Sequence, residues 1–187
     1  MIGIIDCGTS WLREITKIVK ESGHTPKVIR LSKLKNYDIR SFSGIIISGA
    51  PTLLTEVDLR KYMKPFKFIK NADIPVLGIC LGHQIIGLSY GSKIQRRKMI
   101  NKKENIEIIK KEKLFSGIKD RSLFRQEHSE FITLPKGFLL LAKSKTCNNE
   151  AMKHKNKIMY GVQFHPEVSD KNGTCVLKNF LKLCSKD

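Results

Sequence analysis

The sequence predicts an α/β fold in which a doubly wound, mostly parallel or mixed central sheet is flanked by helices. Strand-like and helix-like segments alternate through the first half of the chain, which is the pattern of βαβ units. Residues 45–47 are apolar on both faces, as a buried parallel strand requires. The length of 187 residues suits one domain, so we expect residues 1–187 to form a single unit.

The spacing of apolar residues locates the individual elements. Strands are predicted at residues 2–6, 27–31, 45–47 and 75–79. Helices are predicted from Trp11 to a stop at Gly23, and at residues 59–71 and 81–90. The second half is richer in strands, with candidates at residues 106–109, 139–142 and 158–164. A final amphipathic helix carries on one face Val176, Leu177, Phe180, Leu181 and Cys184.

The formal charge of +18 raises the question of a nucleic-acid partner. The lysines are spread along the whole chain, and aromatic residues do not interleave with them as stacking on bases requires. The densest basic stretch, residues 93–113, also contains glutamates and suits an exposed hairpin or loop. We therefore expect a solvated basic surface and no nucleic-acid partner. No apolar run approaches the roughly 20 residues that span a bilayer, so we expect no membrane association.

Five cysteines make an odd count, and none belongs to a Cys-x-x-Cys pair. This pattern argues against a disulfide framework and against a structural zinc site, so we expect no metal. Free thiols fit a reducing compartment, and the N-terminus has the pattern of a strand rather than of a signal peptide. We therefore expect a cytoplasmic protein.

The segment at residues 78–84, Gly-Ile-Cys-Leu-Gly-His-Gln, combines a buried strand, a thiol and the start of a helix. Glycines two residues either side of Cys80 suit the sharp turn of a nucleophile elbow. A cysteine at a helix N-terminus is biased toward thiolate, and the first helical N–H groups can hold an oxyanion. Taken alone, the segment suits a buried cysteine in a tight turn equally well. Cys7, which ends the first strand, is the one serious rival.

A second segment, residues 160–167, runs from an apolar strand into His165-Pro166-Glu167. A cysteine nucleophile needs a nearby base, and the base needs an acceptor that orients it. His165 can take the thiol proton, and Glu167 can fix the imidazole tautomer. Four other histidines are rivals: His83, which is expected to pack or cap, His24 and His154, which suit loops, and His128, which lies in a polar stretch that could line a site.

Together these two segments, with residues 150–154, resemble the class I glutamine amidotransferase family, whose fold is flavodoxin-like. The resemblance extends over essentially the whole chain and is strongest for the glutaminase subunit in the GMP synthase branch. It implies that Cys80 attacks the side-chain amide of glutamine, that His165 acts as base and then acid, and that Glu167 orients His165. It also implies an oxyanion hole at Ala50 and Leu81, and substrate binding by Gly49, Gln84, His128, Ser129 and Glu130.

The resemblance further implies that ammonia passes to a separate synthetase subunit, which aminates xanthosine monophosphate (XMP). ATP and Mg²⁺ are then expected on that subunit, and no cofactor on this chain. Departures from the family pattern include Ala50 in the oxyanion loop and Glu127-His128-Ser129-Glu130 in the polar stretch. They leave open a glutaminase subunit for another ammonia acceptor, or a stand-alone hydrolase of a γ-glutamyl amide. A non-enzymatic relative would be expected to have lost Cys80 or His165.

Overall fold

A sheet of nine strands organises residues 1–185, the part of the chain that the structure, a computed structural model, describes. The order of the strands across the sheet is β2-β1-β3-β4-β9-β8-β7-β5-β6. Their bounds are β1 Ile2–Asp6, β2 Pro26–Arg30, β3 Gly44–Ile47, β4 Val76–Ile79, β5 Ile94–Ile108, β6 Arg121–Ile132, β7 Phe138–Lys143, β8 Ala151–His154 and β9 Met159–Val162.

Strands β2, β1, β3, β4 and β9 pair in parallel, whereas β8, β7, β5 and β6 continue the sheet with antiparallel neighbours. The parallel strands β3, β4 and β9 are buried along their whole length, which explains why they are apolar on both faces. The predicted α/β fold with a mixed sheet is therefore confirmed. The parallel part places the ends of β3, β4 and β9 side by side at one edge.

Helices cover both faces of the sheet, as a doubly wound fold requires. One face packs against α1 (Leu12–Glu21) and α4 (Asp170–Lys182), whose buried residues join the core of β1, β4 and β9. The other face packs against α3 (Leu81–Ser89), which is buried over most of its length. No helix within residues 1–185 has the length and apolar character needed to cross a membrane.

Most predicted bounds differ from the observed ones by one or two residues, and the strand predicted at 158–164 ends at Val162. The segment at residues 59–71 is a short helix α2 (Leu59–Tyr62) followed by 3-10 turns over Lys64–Asn71. Pro65 lacks the N–H that a continued α-helix would use, and its ring crowds the preceding turn. The second strand begins one residue earlier than predicted, at Pro26. Cys184 is buried but lies in a turn beyond the end of α4.

The long β5–β6 hairpin is the largest feature that the apolar pattern does not predict as strand. Only residues 106–109 carry a strand signal, whereas β5 spans 15 residues and is mostly exposed before Ile106. Charged residues on both faces hide the alternation that identifies a half-buried strand. The expectation of an exposed hairpin or loop at residues 93–113 is confirmed.

Candidate active site

A strained turn joins β4 to α3 at Cys80. Its backbone has φ +49° and ψ −102°, a conformation that residues with a Cβ rarely adopt. The Cys80 N–H donates to the Val162 carbonyl at 2.8 Å, and the Cys80 carbonyl accepts from the Gln84 N–H at 3.1 Å. A side chain at Gly78 would overlap the main chain of Gly82, so the predicted spacing of glycines is what the turn needs.

The Cys80 thiol is 5% exposed and forms polar contacts with Glu127 and Gln163. Its Sγ lies 3.8 Å from the Glu127 carbonyl oxygen, and the Gln163 side-chain amide donates to Sγ at 3.6 Å. Sequence reasoning did not single out Gln163. The available signal was its position, a polar residue just after an apolar strand and two residues before His165. The structure shows that this side chain is fully buried.

His165 is held beside the thiol from several directions. Its Nδ1 lies 2.9 Å from the Glu167 Oε1, and its main-chain N–H donates to the Arg125 carbonyl at 2.9 Å. The Trp11 ring packs edge-on against the imidazole with the centroids 4.4 Å apart. Burial alone lowers the pKa of His165, but the charge and hydrogen bonds of Cys80 and Glu167 outweigh it and raise that pKa to about 10. His165 is therefore suited to hold a proton beside Cys80.

The other histidines are placed less well for proton transfer. His128 has both ring nitrogens engaged, Nδ1 at 3.2 Å from the Glu130 carbonyl and Nε2 at 3.0 Å from the Gln126 Oε1. Burial lowers the pKa of His128 to about 4. It lowers the pKa of His83, a buried residue of α3, to about 3. His154 ends β8 and His24 lies in the loop before β2.

Cys7 is a less suitable nucleophile than Cys80. Its main-chain N–H donates to the Ser48 Oγ at 3.0 Å, at the start of the loop after β3. Burial raises the pKa of the Cys7 thiol to about 12, so a thiolate is disfavoured near neutral pH.

A cavity of about 170 Å³ opens at this edge of the sheet. Most predicted site residues line it, namely Cys80, His165, Ala50, Leu81, Gln84, His128, Ser129 and Glu130. Glu167 lies behind His165, outside the lining. Gly49 is also outside it, and a Cβ there would lie 3.0 Å from the His165 Cε1. Glu127 also lines the cavity and belongs to the polar stretch that was expected to line a site. Lining residues that the sequence did not single out as site residues are Thr9, Ser10, Trp11, Pro51, Thr52, Leu53 and Met99.

Among the backbone N–H groups of the cavity residues that have no hydrogen-bond acceptor within residues 1–185, two lie where the predicted oxyanion hole requires them. They belong to Leu81, at the start of α3, and to Ala50, in the loop after β3. Ala50 is not among the residues with positive φ, so alanine fits this loop without the strain that such a conformation would impose. Unpaired N–H groups at the start of a helix are suited to a negatively charged oxygen.

Gln84 and Glu130 are engaged in contacts within the protein. The Gln84 Nε2 donates to the Glu130 carbonyl at 2.9 Å and to the Gln163 Oε1 at 3.2 Å. The Glu130 carboxylate accepts from the Leu54 and Thr55 N–H groups, both at 2.8 Å, and from the Thr55 hydroxyl at 2.6 Å. The Ser129 hydroxyl has no hydrogen-bond partner within residues 1–185, so it is free to meet a ligand.

Comparison with known proteins identifies the class to which this fold and this site belong. A family model, glutamine amidotransferase class-I, matches residues 3–184, and the chain belongs to that family. The glutamine-hydrolyzing GMP synthase subunit of Pyrococcus abyssi is 36% identical over 190 residues, which cover 100% of both chains. That of Methanocaldococcus jannaschii is 36% identical over 189 residues, covering 98% of this chain and 97% of the relative.

Solved structures agree with this assignment. A protein from Thermoplasma acidophilum assigned to the same GMP synthase subunit superposes with a TM-score of 0.88 at 28% identity, covering 98% of this chain and 92% of that one. A glutamine amidotransferase from Thermotoga maritima shares the fold at 19% identity, with a TM-score of 0.84 and coverage of 99% and 98%. The chain is therefore an enzyme of the amidotransferase class, and the resemblance read from its motifs is confirmed.

Proposed function

We propose that this chain is the glutamine-hydrolysing subunit of a two-subunit GMP synthase. The observation that carries the proposal is the meeting of Cys80, on a strained elbow, with His165 in one cavity, where Glu167 holds His165 from behind. The full-length similarity to glutamine-hydrolyzing GMP synthase subunits supports the choice of product. Residues 1–187 act in this proposal as a single glutaminase domain in the cytoplasm.

The first half of the proposed reaction forms a thioester. The Cys80 thiolate attacks the side-chain amide carbon of glutamine, and the carbonyl oxygen becomes an oxyanion held by the Ala50 and Leu81 N–H groups. The C–N bond then breaks while the His165 imidazolium gives its proton to the leaving nitrogen. Ammonia departs, and a γ-glutamyl thioester remains on Cys80.

The second half restores the enzyme. His165, now neutral, takes a proton from a water molecule, which attacks the thioester carbonyl. The C–S bond breaks, glutamate leaves and the proton on His165 again faces the Cys80 thiolate. Glu167 accepts from the Nδ1–H of His165 throughout, so the Nε2 nitrogen stays directed toward the reacting atoms.

The amino-acid end of glutamine is assigned to the part of the cavity that β6 lines. Ser129 lies there with a free hydroxyl, and His128 and Glu130 border it. Gln84 and Glu130 use their side chains to fix neighbouring segments, so we assign them the shaping of this end of the cavity. Gly49 supports His165 and leaves room for the imidazole.

Ammonia is used on a second protein in this proposal. A separate ATP-dependent synthetase subunit, with its own Mg²⁺, aminates XMP to GMP. Free ammonia would be lost to solvent, so glutamine hydrolysis is expected to stay slow until the synthetase is engaged.

The test is ammonia release from glutamine by the isolated chain, with and without the synthetase subunit, ATP and XMP. The expected result is low hydrolysis alone and a marked rise when all three are present. Full activity in the isolated chain, with no response to the synthetase, would instead identify a stand-alone hydrolase of a γ-glutamyl amide. A response to a different synthetase would identify another ammonia acceptor.

A further inference from the structure

Strand β5 contains an irregularity directly opposite the active-site residues of β6. Arg96 pairs with Glu130 and Ile100 pairs with His128, so the chain advances four residues on β5 against two on β6. The three residues between these pairs, Arg97 to Met99, stand opposite the single residue Ser129 and form a bulge that leaves the ladder. Bulges re-aim side chains and are common beside functional sites. This bulge lies against the strand that lines the cavity with His128, Ser129 and Glu130.

Exposed apolar and cationic side chains occur together here. Met99 is 56% exposed. Glu56 forms an ion pair with Arg96, which joins the loop after β3 to the start of the bulge. Val57, which follows Glu56, is also exposed. We call Val57, Arg97, Lys98 and Met99 the bulge surface. Methionine and arginine are enriched at protein interfaces. A large apolar side chain is not stabilised by exposure to water, so a group of them marks a surface that a partner can cover.

The two cations of the bulge surface lack carboxylate partners. Arg97 and Lys98 are both exposed, and neither forms an ion pair within residues 1–185. The Arg97 guanidinium lies over the Phe131 ring, 5.3 Å from its centroid, which holds the charge near the surface of the sheet. An arginine held in this way loses less conformational freedom when it meets a carboxylate.

The bulge surface also forms one side of the mouth of the active-site cavity. Met99 lines the same cavity as Cys80, together with the uncharged residues Thr9, Ser10 and Thr52. A protein seated on Met99 therefore covers the mouth and receives what leaves the cavity. A small neutral product such as ammonia gains most from a docking site in this position.

We propose that the bulge surface is the docking site for the ATP-dependent subunit, which presents carboxylates around an apolar contact. This inference rests on the proposed function, because it takes the synthetase subunit as the occupant. Complementary charge would accelerate the encounter and orient the two proteins, and Met99 would provide the desolvated centre.

The experiment measures binding directly, by titrating the purified synthetase subunit into the chain at about 0.1 M salt, where the Debye length is about 10 Å. The test variant is Arg97→Glu with Lys98→Glu, and Arg97→Gln with Lys98→Gln provides a milder change. The matched control is Lys67→Glu with Lys70→Glu, since these exposed lysines lie in the 3-10 turns before β4, at the opposite end of that strand from Cys80.

We expect the glutamate variant to weaken binding about tenfold or more, the glutamine variant to weaken it less, and the control to change it less than about twofold. Basal glutamine hydrolysis is expected to stay unchanged in all three, because none of the four positions lines the cavity.

Equal losses in the test and control variants would show that only the overall charge matters and would overturn the proposal. Unchanged binding in both would overturn it as well, while the proposed function would stand. Failure of the unmodified chain to bind the synthetase would overturn both. Binding of single-stranded RNA through Arg97 and Lys98, with synthetase binding unaffected, would also contradict the inference.

Discussion

Glu130 provides a sharp test of how this site is built, because its carboxylate has a structural alternative to substrate binding. The side chain is buried in β6 and accepts three hydrogen bonds from the loop after β3, from the Leu54 N–H, the Thr55 N–H and the Thr55 hydroxyl. That loop continues from Leu53, which lines the cavity. Glu130 therefore fastens one wall of the cavity to another.

The magnitude follows from the number of bonds. In Glu130→Gln, one oxygen can still accept, but the new amide N–H groups face the N–H donors of the loop. Hydrogen bonds to a charged group contribute roughly 1.5–3 kcal/mol each, so losing one or two lowers the free energy of unfolding by about 3 kcal/mol. Glu127→Gln is the control, because the Glu127 ion pair with Arg125 is partly exposed and such pairs contribute below about 1 kcal/mol.

The assay is urea unfolding of the two variants and the unmodified chain, followed by steady-state glutamine hydrolysis. We expect Glu130→Gln to be clearly less stable than Glu127→Gln and to lose kcat/KM as the loop loosens. An unchanged free energy of unfolding with a raised KM would refute this reasoning. It would show that the Glu130 carboxylate binds the amino group of glutamine directly.

Three further predictions concern the base, the buried acid and the elbow. His165→Ala should lower kcat by several orders of magnitude and Glu167→Gln by less, in ammonia-release assays; small equal effects would point to His128. Burial raises the pKa of Glu150 to about 7, so the folded state holds this proton more tightly than the unfolded state does. The free energy of unfolding therefore falls as pH rises from about 4.5 to 7. In urea unfolding, Glu150→Gln should become increasingly stable relative to the unmodified chain over that range. A difference in the free energy of unfolding between the two proteins that stays constant with pH would contradict this. Gly82→Ala should reduce stability and activity together, because its Cβ would overlap the Ile47 carbonyl. If Gly82→Ala unfolds at the same urea concentration as the unmodified chain, α3 and β3 do not approach each other this closely.

The elbow and the His165–Glu167 pair were predictable because each is encoded within a few consecutive residues. The glycines around Cys80 and the His-Pro-Glu turn each determine a local backbone geometry, so their spacing in the sequence is enough to predict it. The apolar strands β3 and β4 were predictable for the same reason, since burial on both faces leaves a continuous apolar run.

The remaining walls of the cavity depend on contacts between distant segments. Glu130 meets Thr55 across 75 residues, and Met99 reaches the cavity only through the register shift of β5. Neither is visible in local periodicity, and the charged faces of β5 hide the strand itself. The polar character of the His128 stretch was visible in the sequence, but the partners that its side chains use were not.

The central claim, that Cys80 is the nucleophile, is tested most directly by labelling with a diazo-ketone analogue of glutamine and locating the adduct by peptide mass spectrometry. We expect one adduct, on the peptide that contains Cys80, suppressed by excess glutamine and absent in Cys80→Ala. Cys7→Ala should label like the unmodified chain, because the pKa of the Cys7 thiol is raised to about 12. An adduct on Cys7, or glutamine hydrolysis that survives in Cys80→Ala, would contradict the account.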